Sequence, residues 1–289
     1  MYPGLNIGNE RSPPMKPAIG PATRLCMSLS ARPGTFGSRF HNHLYDALGL
    51  DYVYKAFATN DLNGAIAGIR ALSIRGCAVS MPFKEDVIAL LDGVRDSAAA
   101  IDSVNTIVND DGTLLGYNTD YSAVRTLVEA LDVDRTGPFL LRGSGGMGKA
   151  VATAMRDAGF SGGTIVARNE AKGRALAQRL GYGWLADSAD AAAEILVNVT
   201  PLGMTGADAD ALAFTAEQIR SSQVVIDAVA RPVETPLLRA ARAAGRRVVT
   251  GAEIAVLQAL EQFVLYTGIR PDDRQVAAAE AFALAAPHA

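Results

Sequence analysis

A lysine and an aspartate sit in two short polar clusters ahead of a glycine-rich turn. The first cluster is Val79-Ser80-Met81-Pro82-Phe83-Lys84 and the second is Tyr117-Asn118-Thr119-Asp120. The turn that follows is Gly143-Ser144-Gly145-Gly146-Met147-Gly148. A lysine beside a carboxylate can relay a proton. A glycine turn that opens a helix can hold a dinucleotide phosphate on free backbone N–H groups. Together they point to proton transfer coupled to hydride transfer, the chemistry that interconverts an alcohol and a ketone.

Each signal has a plainer reading. Alone, Lys84 is a surface lysine that pairs with Glu85 or Asp86. Its company shifts the balance, because Ser80, Asn105, Asn118 and Asp120 all fall at strand ends of the same domain. Ligands of open α/β sheets bind at that edge. Gly143-x-Gly145-x-x-Gly148 could simply pack a helix on a strand, but it follows a strand and opens a helix, as a dinucleotide turn requires. The next strand ends in Ala167-Arg168-Asn169, with Lys172 shortly after and no acid before Glu170. An enzyme preferring NAD places an acid there for the ribose hydroxyls. Arg168 can instead stack on adenine and pair with a 2′-phosphate, which favours NADP; the plain alternative is a solvated arginine. Ser28 and Ser30 flank one leucine, so in an extended segment their hydroxyls share a side and can take a carboxylate, unless they are ordinary loop serines. His41 and His43 lack a third ligand at metal spacing, and helix packing or capping accounts for both. No metal is expected.

The elements that position these groups read as two α/β units. Residues 25–29 form a short strand, 32–38 a loop and 40–48 a helix stopped at Gly49. Residues 52–57 are a strand, 62–72 an amphipathic helix, 76–80 a strand closed by Pro82, and 86–91 a helix. Residues 103–108 and 113–117 make a hairpin around Asp111-Gly112. This order predicts a mostly parallel sheet with one hairpin. Residues 122–131 form a connecting helix. A second pattern follows, with strands at 139–141, 163–167, 195–198, 224–227 and 247–249, and helices at 149–158, 171–180 and 236–244. That is a doubly wound Rossmann domain over 122–251. Helical stretches at 254–266 and 273–285 should pack back on the first domain, which spans 24–121 and 252–289. Residues 1–23, with Pro3, Pro13, Pro14, Pro17 and Pro21, read as a disordered extension without the apolar core of a signal peptide.

Composition narrows the class. The 289 residues suit two domains, and the balance of 49% hydrophobic and 20% charged residues is globular. A net charge of −3 with no basic block gives no nucleic-acid surface, and no apolar run reaches membrane-spanning length. Two cysteines, Cys26 and Cys77, offer no disulfide framework, and their small or apolar neighbours predict buried thiols in a reducing cytoplasm.

The motifs together resemble the shikimate dehydrogenase family. The likeness rests on Ser28-Leu29-Ser30, His41-Asn42, residues 49–54 (GLDYVY), residues 80–84 (SMPFK), residues 103–106 (SVNT), residues 116–120 (GYNTD) and residues 198–204 (NVTPLGM). Gly251-Ala252-Glu253 and Gln258 through Gln262-Phe263 complete it, in the family's order from about residue 24 to 272. The chain looks most like the divergent shikimate 5-dehydrogenase-like branch. The resemblance implies NADP-dependent reduction of 3-dehydroshikimate to shikimate or a close variant. It implies Lys84 and Asp120 as the catalytic pair, and Ser28, Ser30, Ser80, Asn105 and Gln258 as substrate-binding residues. For NADP it implies Gly143, Ser144, Gly145, Gly146 and Met147 at the pyrophosphate, Arg168 and Lys172 at the 2′-phosphate, and Ala228 and Gly251 at the nicotinamide.

The chain departs from the family's pattern at several places. Ser80 replaces threonine, Ala31 a proline, Ala167 an asparagine, Ala230 a substrate-contacting tyrosine and Ile254 a methionine, and no histidine precedes Ser28. The chemistry is therefore better defined than the substrate. Quinate or another cyclic polyol is the alternative substrate, and an NADP-binding regulatory protein without turnover is the distant alternative. A monomer or a homodimer fits the sequence equally.

Overall fold

The computed structural model describes residues 15–188 and 191–285. Residues 1–14 and 286–289, which belong to the expected extension and tail, lie outside this range. Two six-stranded sheets carry the fold. The first contains β1 (Arg24–Ser30), β2 (Tyr52–Ala58), β3 (Gly76–Val79), β4 (Gly93–Val94), β5 (Thr106–Asp110) and β6 (Thr113–Tyr117). Between them lie α1 (Phe36–Ala47), α2 (Leu62–Ala71), a 3-10 turn (Asp86–Leu90) and α3 (Asp96–Ala99). The spatial order is β2-β1-β3-β5-β6-β4. β1 runs parallel to β2 and β3, and β4 parallel to β6. β5 runs antiparallel to both β3 and β6. The hairpin turns at Asp111 and Gly112, both with positive φ, the conformation a two-residue turn between twisted strands demands.

One consequence decides where chemistry can happen. Because β5 is reversed, its beginning lies at the same edge as the ends of β1, β3 and β6. Four separated sequence segments therefore meet at one sheet edge.

The connecting helix α4 (Thr119–Glu129) leads into the second sheet. Its strands are β7 (Pro138–Arg142), β8 (Gly162–Val166), β9 (Gly183–Leu185), β10 (Ile195–Asn198), β11 (Val224–Asp227) and β12 (Arg247–Val249). The order β12-β11-β10-β7-β8-β9 is all parallel, the doubly wound arrangement. Helices α5 (Gly146–Asp157) and α6 (Glu170–Leu180) cover one face, while α7 (Ala216–Ser221) and α8 (Pro236–Ala243) cover the other. Both faces are thus buried, as parallel sheets require. Helices α9 (Gly251–Thr267) and α10 (Asp273–Leu284) return to the first sheet. There Phe263, Tyr266, Ala279 and Ala283 share a core with Phe40, Leu44 and Tyr45 of α1.

Several expected boundaries move, each for a physical reason. Helix α1 starts at Phe36, inside the expected loop, because Phe36 stacks on Phe40 one turn later with ring centroids 5.7 Å apart. The connecting helix starts at Thr119, so Asp120 lies in its first turn rather than before it. The cause is Asn118, whose side chain accepts from the Tyr121 N–H and caps the helix. Helix α5 begins within the glycine turn at Gly146, and α9 begins at Gly251 behind a Thr250–Glu253 capping box. β5 begins at Thr106, which leaves residues 103–105 as an irregular approach to the strand. The short β4, β9, α3 and α7 carry too few residues for a periodic pattern to mark them in the sequence. Residues 15–23 have no regular structure, and Lys16 pairs with Asp46 at 2.9 Å.

Candidate active site

The shared edge of the first sheet gathers the polar residues. Lys84 follows β3 by a short turn, and Asp120 stands at the head of α4, directly beyond β6. Lys84 Nζ donates to Asp120 Oδ2 at 2.5 Å. The carboxylate is almost wholly buried, with 2% of its side chain exposed, while Lys84 keeps 17% and so retains an open approach. The Lys84 carbonyl accepts from the Val104 N–H at 2.8 Å, which ties the lysine turn to the segment carrying Asn105.

Asn105 is fixed by a dense network. Its Oδ1 accepts from the Thr119 N–H at 2.8 Å, from Thr106 Oγ1 at 2.8 Å and from Thr119 Oγ1 at 3.1 Å. Its oxygen is therefore fully engaged, and its Nδ2 has no protein partner among the described residues. That amide N–H group is free to donate. Gln262 of α9 donates to Thr106 Oγ1 at 3.0 Å and so locks the last helix to the same network. Gln258 lies one turn earlier on α9, half-buried, and its amide has no protein partner among the described residues.

Ser28 and Ser30 occupy alternate positions of β1 and so share a face. Their strand neighbours on that face are Ala56, Ala78 and Ala58, whose methyl groups leave room above the hydroxyls. Ser30 Oγ is buried with no protein partner, an unpaired group that normally has one. Ser80 is exposed at the end of β3. The structure thus brings Ser28, Ser30, Ser80, Lys84, Asn105, Asp120 and Gln258 to one rim.

The glycine turn faces this rim across the interdomain cleft. Gly143 has φ +124°, and a Cβ there would lie 2.8 Å from Val199 Cγ2. A Cβ on Gly148 would meet the Gly143 carbonyl at 2.6 Å, so the helix packs onto the turn only through a glycine. Gly145 has nothing within 4 Å of a Cβ position, an open cradle over the first turn of α5. That turn leaves backbone N–H groups without helical partners. The Gly146 backbone closes the distance between domains: a Cβ there would lie 3.5 Å from Ser103 Oγ and 3.8 Å from Lys84 Cδ. An anion held at this turn with Ser144 and Met147 would therefore sit next to the lysine.

The remaining candidates frame the turn. Arg168 lies in the loop two residues beyond β8, exposed and without a side-chain partner among the described residues, while Asn169 caps α6 by accepting from the Lys172 N–H at 3.0 Å. No acid occupies the end of β8, so these residues fit a phosphate-bearing ribose. Ala228 follows β11, where Asp227 is buried and accepts from Asn198 Nδ2, Thr235 Oγ1 and the Val229 N–H. Burial pushes the Asp227 pKa up, and these hydrogen bonds oppose it. Gly251 lies against the same segment, since a Cβ there would be 2.3 Å from the Val229 carbonyl oxygen.

Comparison with known proteins adds the decisive observation. The shikimate dehydrogenase substrate binding domain matches residues 35–107. A shikimate dehydrogenase-like protein of Haemophilus influenzae is 51% identical over 92% of this chain and 98% of its own. The chain belongs to the shikimate dehydrogenase family. A Thermus thermophilus shikimate 5-dehydrogenase, solved with NADP(H) and shikimate, is 32% identical and superposes with a TM-score of 0.80 over 90% of this chain and 99% of its own. A quinate dehydrogenase of Corynebacterium glutamicum, solved with NAD, is 28% identical with a TM-score of 0.79 over 90% and 98%.

Within this shikimate dehydrogenase frame, the histidines turn out to be packing residues. His41 stacks on Tyr54 with centroids 4.5 Å apart, and His43 stacks on Phe282 at 5.0 Å. Cys26 and Cys77 are free and buried, and burial pushes the Cys26 thiol up to about 12. Two contributors had no assigned role from sequence. Thr106 and Gln262 hold Asn105 rather than a ligand, and their only sequence signal is their place beside Asn105 and Gln258.

Proposed function

We propose that this protein reversibly reduces 3-dehydroshikimate, or a closely related cyclic keto acid, to the hydroxy acid with NADP as cofactor. The observation that carries this reading is the Lys84–Asp120 pair, 2.5 Å apart at the cleft and beside the open glycine turn. The nicotinamide cofactor, when bound, supplies or takes up the hydride. Lys84 gives a proton to the carbonyl oxygen in reduction and accepts it from the hydroxyl in oxidation. Asp120 fixes the direction of the lysine and can accept from a ring hydroxyl. Ser28 and Ser30 take the carboxylate, while the Asn105 amide, Ser80 and Gln258 meet ring oxygens. The family match and the Thermus complex with NADP(H) and shikimate support both the substrate class and the cofactor.

A second reading, quinate or another cyclic polyol, draws on Ala230, which is half-buried and offers only a methyl beside Gly251. The test is spectrophotometric: cofactor reduction by shikimate and by quinate, each with NADP and with NAD. Turnover of shikimate with NADP that disappears in Lys84→Ala is the expected result. No turnover of any cyclic hydroxy acid with either cofactor would remove the enzymatic reading.

A further inference from the structure

A cavity of about 300 Å³ opens beside the glycine turn and spans the domain boundary. That volume is at the small end of ligand sites and suits a fragment of a nucleotide. Ser144 and Gly145 contribute the turn, and Lys149, Lys172 and Arg179 contribute three cations. Lys172 and Arg179 are two turns apart on one face of α6. Glu85 and Asp102 enter from the first domain. Lys149 Nζ donates to Glu85 at 2.8 Å, and Arg179 pairs with Asp102 at 3.1 Å. Lys172 has no side-chain partner among the described residues. Both acids adjoin active-site residues: Glu85 follows Lys84, and Asp102 precedes the 103–105 segment.

We propose that Lys149 and Arg179 are further recognising residues for the cofactor's 2′-phosphate beside Lys172, and that Glu85 and Asp102 hold these cations in its absence. The inference rests on the NADP reading above and names residues that reading leaves out. The acids are suited to giving way. Their side chains are 53% and 73% exposed, and ion pairs so exposed contribute little. A doubly charged phosphate makes stronger charge-assisted contacts to the same cations. The Lys149 ammonium holds the Glu85 carboxyl below its ordinary range, so the carboxylate is a real competitor. Asp102 adopts φ +52°, a left-handed conformation uncommon outside glycine. Phosphate entry would then exchange acid for phosphate at both cations while leaving the domains opposed.

Calorimetric titration of NADP and NAD, without substrate, tests this in the full-length chain. Arg179→Gln and Lys149→Gln should each weaken NADP about three- to tenfold and leave NAD nearly unchanged. Asp102→Asn, which removes a competitor and keeps the guanidinium, should tighten NADP about threefold. Equal affinity of the intact protein for both cofactors would overturn the NADP reading and this inference with it. A clear NADP preference that survives both cation variants, or a loss shared equally by NAD, would overturn this inference alone. So would weaker NADP binding in Asp102→Asn.

Discussion

Lys84 owes its direction to a single buried acceptor. Asp120 is fixed on the first turn of a helix capped by Asn118, so the ammonium finds its partner in one place. Replacing Lys84 by alanine should lower kcat by roughly two to four orders of magnitude, the usual scale for a lost general acid–base. KM should change far less, because the serine pair and Asn105 remain. Steady-state kinetics decide it, and near-normal kcat would remove Lys84 from proton transfer. At Ala230 the expectation runs the other way. Where the resemblance to the family implies a tyrosine hydroxyl, this chain has a methyl, and a water can bridge only part of such a contact. Restoring the phenol in Ala230→Tyr should raise kcat/KM for shikimate by about tenfold, the equivalent of roughly 1.5 kcal/mol for one hydrogen bond. An unchanged or lower kcat/KM would show that the pocket serves a different ring.

At the scale of elements, α9 couples the two sheets. Its head sits against the backbone that follows β11, its middle presents Gln258 to the rim, and Gln262 grips Thr106. Gly251 makes the close approach possible. In Gly251→Ala the new methyl would meet the Val229 carbonyl carbon at 2.4 Å, and backbone atoms cannot swing aside as a flexible side chain can. The variant should lose about 1–3 kcal/mol of stability in urea titrations, the range for an overpacked site. Turnover should fall as well, because the helix that carries Gln258 must shift. A variant as stable and active as the parent would show that α9 adjusts freely. The element ends were legible only in part: the Asp111-Gly112 hairpin follows from its dipeptide, whereas the starts of α1, α4, α5 and α9 depend on caps and stacking contacts. Asn118 as a cap was open to sequence reasoning, since a side-chain oxygen ahead of a helix is a known signal. The Phe36–Phe40 stack was hidden because Gly37 and Ser38 read as loop.

At the scale of the whole molecule, the first domain is built around a buried histidine. His41 is fully enclosed by Tyr54, Tyr45, Phe40, Phe263 and Tyr266. Neither ring nitrogen has a hydrogen-bond partner among the described residues. Burial pushes the pKa from an ordinary 6.5 down to about 3, and the nearby Gln262 amide only weakly opposes it. Above pH 6.5 the ring is neutral in both folded and unfolded chains, so no stability is lost. As the pH falls from there, only the unfolded chain takes up the proton, and stability declines. Between pH 7 and pH 5 this residue alone should cost about 2 kcal/mol. His41→Phe keeps the stacked ring without a titrating group and should lose that part of the pH dependence in urea titrations at the two pH values. An identical pH dependence in the variant would show that the protonated ring is accommodated.

The sequence by itself determined the two α/β units, the glycine turn in its strand–helix context and the residue types at the rim. These are local signals: strand and helix periods, turn dipeptides and a short run of glycines specify backbone shape over a few residues. It also supplied the ordered motifs whose family the comparisons show. Only the tertiary structure decided that Lys84 meets Asp120, that Thr106 and Thr119 use up the oxygen of Asn105, and that Glu85 and Asp102 reach cations on the other domain. Apart from the neighbouring Thr106, those contacts join residues 36, 14, 64 and 77 positions apart. No local propensity encodes them. They follow from the reversed β5, which turns four strand ends to one edge, and from α5, which sets its first turn against that edge.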